Sequence, residues 1–135
     1  MKQILCDTSA LVALADADDP YADLAQEYLR EIEPGVVFIV PDTVFSEAMT
    51  TIKRRLNATA AVKVGHQLRK SVRFRLYRLT DDDERATWDL FSRYTDKEWS
   101  YVDCSLLALA QRQKVAVVFS FDGHFEQMPG VTRAP

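Results

Sequence analysis

The sequence predicts an α/β fold, a three-layer α/β/α sandwich around a mainly parallel sheet. Residues 36–40 (VVFIV) and 115–119 (VAVVF) are continuous, β-branched runs, the pattern of strands buried on both faces. The segments between the strand-like runs are long enough for helices and carry apolar residues at helical spacing. Strands that alternate with helices pair in parallel through right-handed crossovers.

The elements follow in order. Residues 3–6 (QILC) form a first strand that ends at Asp7, and residues 9–15 a short helix. Pro20 suits the first position of a second helix, which runs to about Glu33 and stops at Pro34-Gly35. After the strand at 36–40, residues 43–56 place Val44, Ala48, Ile52 and Leu56 four apart, a helical stripe. A further helix covers 59–70. Residues 73–79 alternate Phe74, Leu76 and Tyr77/Leu79 with basic residues, as an edge strand does. Thr80-Asp-Asp-Asp83 starts a helix with acids in its first turn, and Trp88, Phe91 and Tyr94 share a later face. Residues 100–113 form another helix, 115–119 a buried strand and 131–133 a short terminal one.

With 135 residues, 47% apolar and 27% charged, the chain reads as a single globular domain over 1–135 that needs no disulfide or metal staple. No apolar run approaches the roughly 18–20 residues of a membrane span, and no signal-peptide core follows Met1-Lys2-Gln3. Cys6 and Cys104 sit in apolar contexts and read as small buried hydrophobes. With only His66 and His124 beside them, they make no zinc set of the usual spacing. The expectation is a reduced, cytoplasmic protein with no membrane association.

Net charge is −3, but its distribution is uneven. Residues 51–80 hold nine basic and no acidic side chains, leaving eight basic and twenty acidic for the rest. A basic surface on an acidic body is what nucleic-acid binding requires; solvated helix faces are the plainer account of the same charges. Lys53, Arg54, Arg55, Arg73 and Arg75 are the candidate backbone contacts.

In open parallel α/β sheets, chemistry gathers beyond the carboxyl ends of the strands. Asp7 ends the first strand, and Asp122 lies three residues past Phe119. Glu47 stands beside Ala48 on an apolar stripe, and Asp103 shares a face with Leu107 and Ala110. An acid on a buried face is costly unless paired or bound to a cation. Each acid also has a structural reading: Asp7 as a helix cap, Asp103 in a capping box with Ser100, Asp122-Gly123 as a turn, and Glu47 reaching water. Together they point to a cluster whose mutual repulsion a central cation relieves. Oxygen donors favour Mg²⁺ or Mn²⁺, and such a site suits metal-assisted phosphodiester hydrolysis.

Asp7-Thr-Ser-Ala-Leu11, Ser46-Glu47, Ser100-Tyr-Val-Asp103 and Ser120-Phe-Asp-Gly-His-Phe125, in register across nearly the whole chain, resemble the PIN domain. The compact form is similar to the toxin of VapBC toxin–antitoxin pairs. The resemblance implies strand order 3-2-1-4-5 and Mg²⁺-dependent ribonuclease activity, with Asp7, Glu47, Asp103 and Asp122 as the catalytic, metal-holding acids. It also implies an RNA substrate, a small antitoxin partner and a homodimer. Ser9 and Ser120 fit positions that arrange the site or cap helices, and His124 fits either a catalytic base or a packing residue. Two alternatives stand beside this one: a PIN nuclease for RNA maturation or decay outside a toxin system, and a phosphoacceptor receiver module. The receiver would need an acidic pair after the first strand and a lysine after a late one, where this chain has Asp7-Thr8 and Ser120-Phe-Asp122.

Overall fold

The computed structural model describes residues 2–135. Its first strand, β1 (Gln3–Cys6), is apolar and buried from Ile4 to Cys6 because it lies in the middle of the sheet, flanked on both edges by parallel neighbours. On one side stands β2 (Val37–Pro41), with Leu5 opposite Ile39, and beyond it β3 (Phe74–Tyr77) at the edge. On the other side stand β4 (Val117–Phe119), with Cys6 opposite Phe119, and then β5 (Thr132–Ala134). The order is β3-β2-β1-β4-β5, all parallel, as the sequence resemblance implied.

The helices are α1 (Thr8–Ala15), α2 (Ala22–Glu31), α3 (Asp42–Arg55), α4 (Ala58–Lys70), α5 (Asp81–Arg93) and α6 (Tyr101–Gln113). They complete a three-layer α/β/α sandwich in which α1 packs on α2 and α3, α3 on α4, and α5 on α6. One contiguous core runs from Ile4 through Phe38, Ile52 and Leu107 to Phe125. Between α3 and α4 the approach is so close that a methyl group on Gly65 would lie 3.3 Å from the Met49 sulfur. Glycine at that helix interior trades helix propensity for contact.

Most elements lie within two residues of their sequence expectation, and two readings need correction. Pro20 does not open α2; it lies in the turn before it, where Asp16 and Asp19 side chains hold the backbone, and the helix begins at Ala22. The buried stripe of α3 stops at Ile52, because Leu56 is already the C-cap and is 40% exposed. The face of α5 carrying Trp88 and Phe91 points outward, while Asp83, Thr87 and Leu90 face the core. Polar residues can face the core there because their buried atoms are partnered. Asp83 accepts from the Tyr77 hydroxyl at 2.6 Å and from Arg112 Nε at 2.8 Å, and the Thr87 hydroxyl donates to the Asp83 carbonyl at 2.7 Å.

Candidate active site

Four separate segments deliver carboxylates to one open cleft of about 460 Å³ at the carboxyl edge of the sheet. Asp7 arrives there because β1 ends at Cys6, and Asp122 because the chain turns after β4. Glu47 comes from the second turn of α3, and Asp103 from the first turn of α6. All four line the cleft, together with Thr8, Ser9, Asp19, Tyr21, Thr51, Arg54, Arg55, Ser100, Phe121 and His124. The cleft lies where the chain order reverses on either side of β1, the usual ligand position in open parallel sheets.

Asp7 is only 4% exposed. Although it is the N-cap residue of α1, its carboxylate makes no capping bond. Oδ2 instead accepts from the Ser9 hydroxyl and the Ser120 hydroxyl, each at 2.8 Å. The two serines touch at 3.1 Å and in turn accept from the backbone N–H groups of Phe121 and Asp122. This network ties the end of β1 to the end of β4. Burial pushes the Asp7 carboxyl up from 3.8 to about 6; the two serine hydroxyls and the Thr8 backbone oppose the rise, and the nearby Asp103 charge adds to it.

Asp103 fills the capping box that its sequence context offered, and it also faces the cleft. Its Oδ2 accepts from Ser100 N–H at 2.9 Å, completing a capping box, and also meets His124 Nδ1 at 2.9 Å. His124 Nδ1 lies 3.5 Å from Asp122 Oδ1, so the ring bridges two of the four acids. The hydrogen bond to Asp103 raises the His124 pKa, burial lowers it, and the charges of Asp122, Asp103 and Glu98 raise it further. Asp122 also caps the short 3₁₀ turn at Gly123–Gln127 by accepting from His124 N–H. Glu47 is exposed, reaching solvent beside the stripe rather than being buried on it.

The donor set fits a hard divalent cation. Among the described residues no lysine or arginine pairs with Asp7, Glu47, Asp103 or Asp122. Asp103, Asp122 and His124 offer ligand atoms all within 4.8 Å of one another. Thr8 Oγ1, at the same cleft, is the one buried side-chain oxygen among the described residues without a hydrogen-bond partner. Carboxylate oxygens and a free hydroxyl suit Mg²⁺ or Mn²⁺ with part of its water shell retained. The thiols take no part: burial pushes Cys6 well up and Cys104 to about 11, keeping both protonated at neutral pH.

The basic residues divide. Arg54 and Arg55 line the cleft, whereas Lys53, Arg73 and Arg75 line other surfaces. Arg55 is paired with Asp19 at 3.2 Å, and Arg73 donates to the Leu29 carbonyl while lying over the Phe38 ring. No sequence motif marked Asp19, Tyr21 or Thr51 as cleft residues. Only the folding of the turn before α2 against α3 brings them there.

An acidic cleft at the reversal point of a 3-2-1-4-5 parallel sheet defines a class, and the comparison agrees: the PIN domain model matches residues 4–131, and the chain belongs to that family. It is of the VapC type within the family. It is 31% identical over 122 residues to the 23S rRNA-specific endonuclease VapC20 of Mycobacterium tuberculosis, covering 90% of this chain and 91% of that protein. The crystal structure of Mycobacterium tuberculosis VapC20, described as a toxin cleaving the sarcin-ricin loop, superposes with a TM-score of 0.86 at 28% identity, covering 93% of this chain and 95% of that one. The fold is also shared with VapBC2 from Rickettsia felis, solved bound to a DNA fragment from its promoter, at a TM-score of 0.75 and 10% identity, with 98% and 97% of the chains covered. These likenesses leave the receiver-module reading without support.

Proposed function

We propose that this protein is a Mg²⁺- or Mn²⁺-dependent endoribonuclease and the toxin half of a toxin–antitoxin pair, with Asp7, Glu47, Asp103 and Asp122 as its catalytic acids. The convergence of these four carboxylates on one cleft, two of them buried and none paired with lysine or arginine among the described residues, carries the reading. The likeness to a 23S rRNA-specific endonuclease supports ribosomal RNA as the substrate class.

A divalent cation held by these acids would supply positive charge at the scissile phosphate and lower the pKa of a bound water. The protein's part is positioning. Asp7 and Asp103 hold the cation side of the cleft, Asp7 being fixed by Ser9 and Ser120 and Asp103 by the Ser100 capping box. Glu47 and Asp122, more exposed, suit contact through water. His124 stands between Asp103 and Asp122, its Nδ1 2.9 Å from one and 3.5 Å from the other, and holds the two acids in place. Arg54, exposed at the rim, receives the phosphate backbone of the substrate.

Two protein partners complete the proposal. A small antitoxin is supported by the fold neighbours, several of which are toxin–antitoxin complexes. The apolar groove of Leu11, Leu14, Val64, Leu68 and Phe74 offers such a partner side-chain pockets. A second copy of the chain is supported by the aromatic strip of Trp88, Phe91 and Tyr101, which is large and exposed for a monomer. The test of function is mapping RNA ends after brief expression in cells: new ends at one ribosomal site are expected, absent in the Asp103→Asn variant. Unchanged RNA in both would contradict the proposal.

A further inference from the structure

One wall of the cleft is aromatic. Tyr21 and Phe121 both line it, with rings stacked at 4.7 Å between centroids and planes 8° apart. Tyr21 is 45% exposed, whereas Phe121 is half-buried, so an open ring lies on an anchored one. Phe121 sits between Ser120 and Asp122. Its N–H donates to Ser9 Oγ at 3.0 Å, and its ring meets Phe119 edge-on at 6.1 Å. Tyr21 is held from the other side: its N–H donates to Asp19 Oδ1 at 2.8 Å, and Asp19 Oδ2 accepts from Arg55 at 3.2 Å. The turn before α2 is thereby clamped to the end of α3. The same Ser9 that donates to Asp7 fixes the ring under Tyr21, so the aromatic surface and the carboxylates share one rigid frame.

We propose that Tyr21, stacked on Phe121, is the platform on which one unpaired nucleobase next to the scissile phosphate docks. The inference rests on the ribonuclease reading above. Every base has a π-face that an exposed ring accepts regardless of sequence, but a base within a duplex is already stacked on both sides and is not free to dock. Arg54 on the same cleft supplies the cation for the adjoining phosphate. Arg55, committed to Asp19, acts as a positioning residue for the platform rather than as a backbone contact.

The test uses a single-stranded oligoribonucleotide carrying 2-aminopurine, titrated with the Asp103→Asn protein so that no RNA is cut. Binding should quench the fluorophore. Adding Tyr21→Leu should abolish the quench and weaken binding by roughly ten-fold or more, while Tyr21→Phe should keep both. In the otherwise intact enzyme, Tyr21→Leu should raise KM with kcat much less affected, and a blunt duplex of the same sequence should bind poorly to every variant. Quenching and affinity unchanged in Tyr21→Leu would overturn the inference and leave the exposed ring to a protein partner. Equal loss in Tyr21→Phe and Tyr21→Leu would also overturn it, by assigning the effect to the hydroxyl. If the wild-type protein cleaves RNA and Tyr21→Leu matches it, this inference alone fails; if the wild type cleaves none, the ribonuclease reading fails.

Discussion

Asp7 is the residue whose environment is most at odds with its charge. Its raised pKa has a definite sign. Between pH 3.8 and about 6 the folded state binds the proton more tightly than the unfolded state, so the metal-free protein loses stability as pH rises through that window and stays less stable above it. Asp7→Asn removes the buried charge while keeping one acceptor oxygen that Ser9 and Ser120 can share. It should therefore stabilise the metal-free protein at pH 7 by about 3 kcal/mol, read as a higher melting temperature in EDTA. A lower melting temperature would show that burial does not dominate at this site. The serines act in the opposite sense. Deleting either hydroxyl removes a bond that favours the ionised form, so Ser120→Ala should move the pH profile of cation binding, followed by calorimetry, to higher pH. An unmoved profile would reduce Ser120 to a packing role. The acids were legible in the sequence because they stand at strand ends or interrupt apolar faces. The serine network was not, because a hydroxyl next to a helix start reads equally well as a cap, and only the pairing of β1 with β4 decides between the two.

Element by element, periodicity located β1, β2, α3, α6 and β4, since continuous β-branched runs and four-residue spacing each suit one geometry. It did not reach the orientation of α5, where a buried carboxylate faces the core while Trp88 and Phe91 point outward. Asp83 is 2% exposed and bonded to Tyr77, Thr80 and Arg112, linking β3, α5 and α6 in one knot. Burial pushes its pKa up, but the Tyr77 hydroxyl, the Thr80 backbone and Arg112 outweigh that and hold it below the ordinary value. Its contribution is present above the unfolded pKa and is lost as pH falls through the folded one. Truncating a buried partner of this kind costs about 3 kcal/mol, so Asp83→Ala should lower the denaturant midpoint far more than Asp89→Ala, whose ion pair with Arg93 is exposed. Comparable effects from the two variants would contradict the knot.

For the molecule as a whole, the sheet order does two things at once. It buries β1 on all sides, and it opens a cleft at the reversal point into which strand ends and helix starts deliver acids remote in sequence. It also leaves the aromatic strip of α5 and α6 uncovered. Trp88→Glu should convert a dimer to a monomer in sedimentation experiments while leaving the melting behaviour of the monomer intact, because Trp88 is 62% exposed. A wild-type protein that sediments as a monomer would remove the second copy from the account. The charge segregation was legible as well, but not its division: folding carries Arg54 and Arg55 to the cleft and turns Lys53, Arg73 and Arg75 elsewhere, which no linear pattern encodes. The central claim is that the clustered acids would hold a divalent cation on which RNA cleavage depends. Its most direct test is the initial rate of ribosomal RNA cleavage by EDTA-treated protein as Mg²⁺ is added back, for the wild type and Asp103→Asn. The account predicts no cleavage in EDTA, saturable recovery in the wild type and none in the variant; full-rate cleavage by chelated wild type, or recovery by Asp103→Asn equal to wild type, would contradict it.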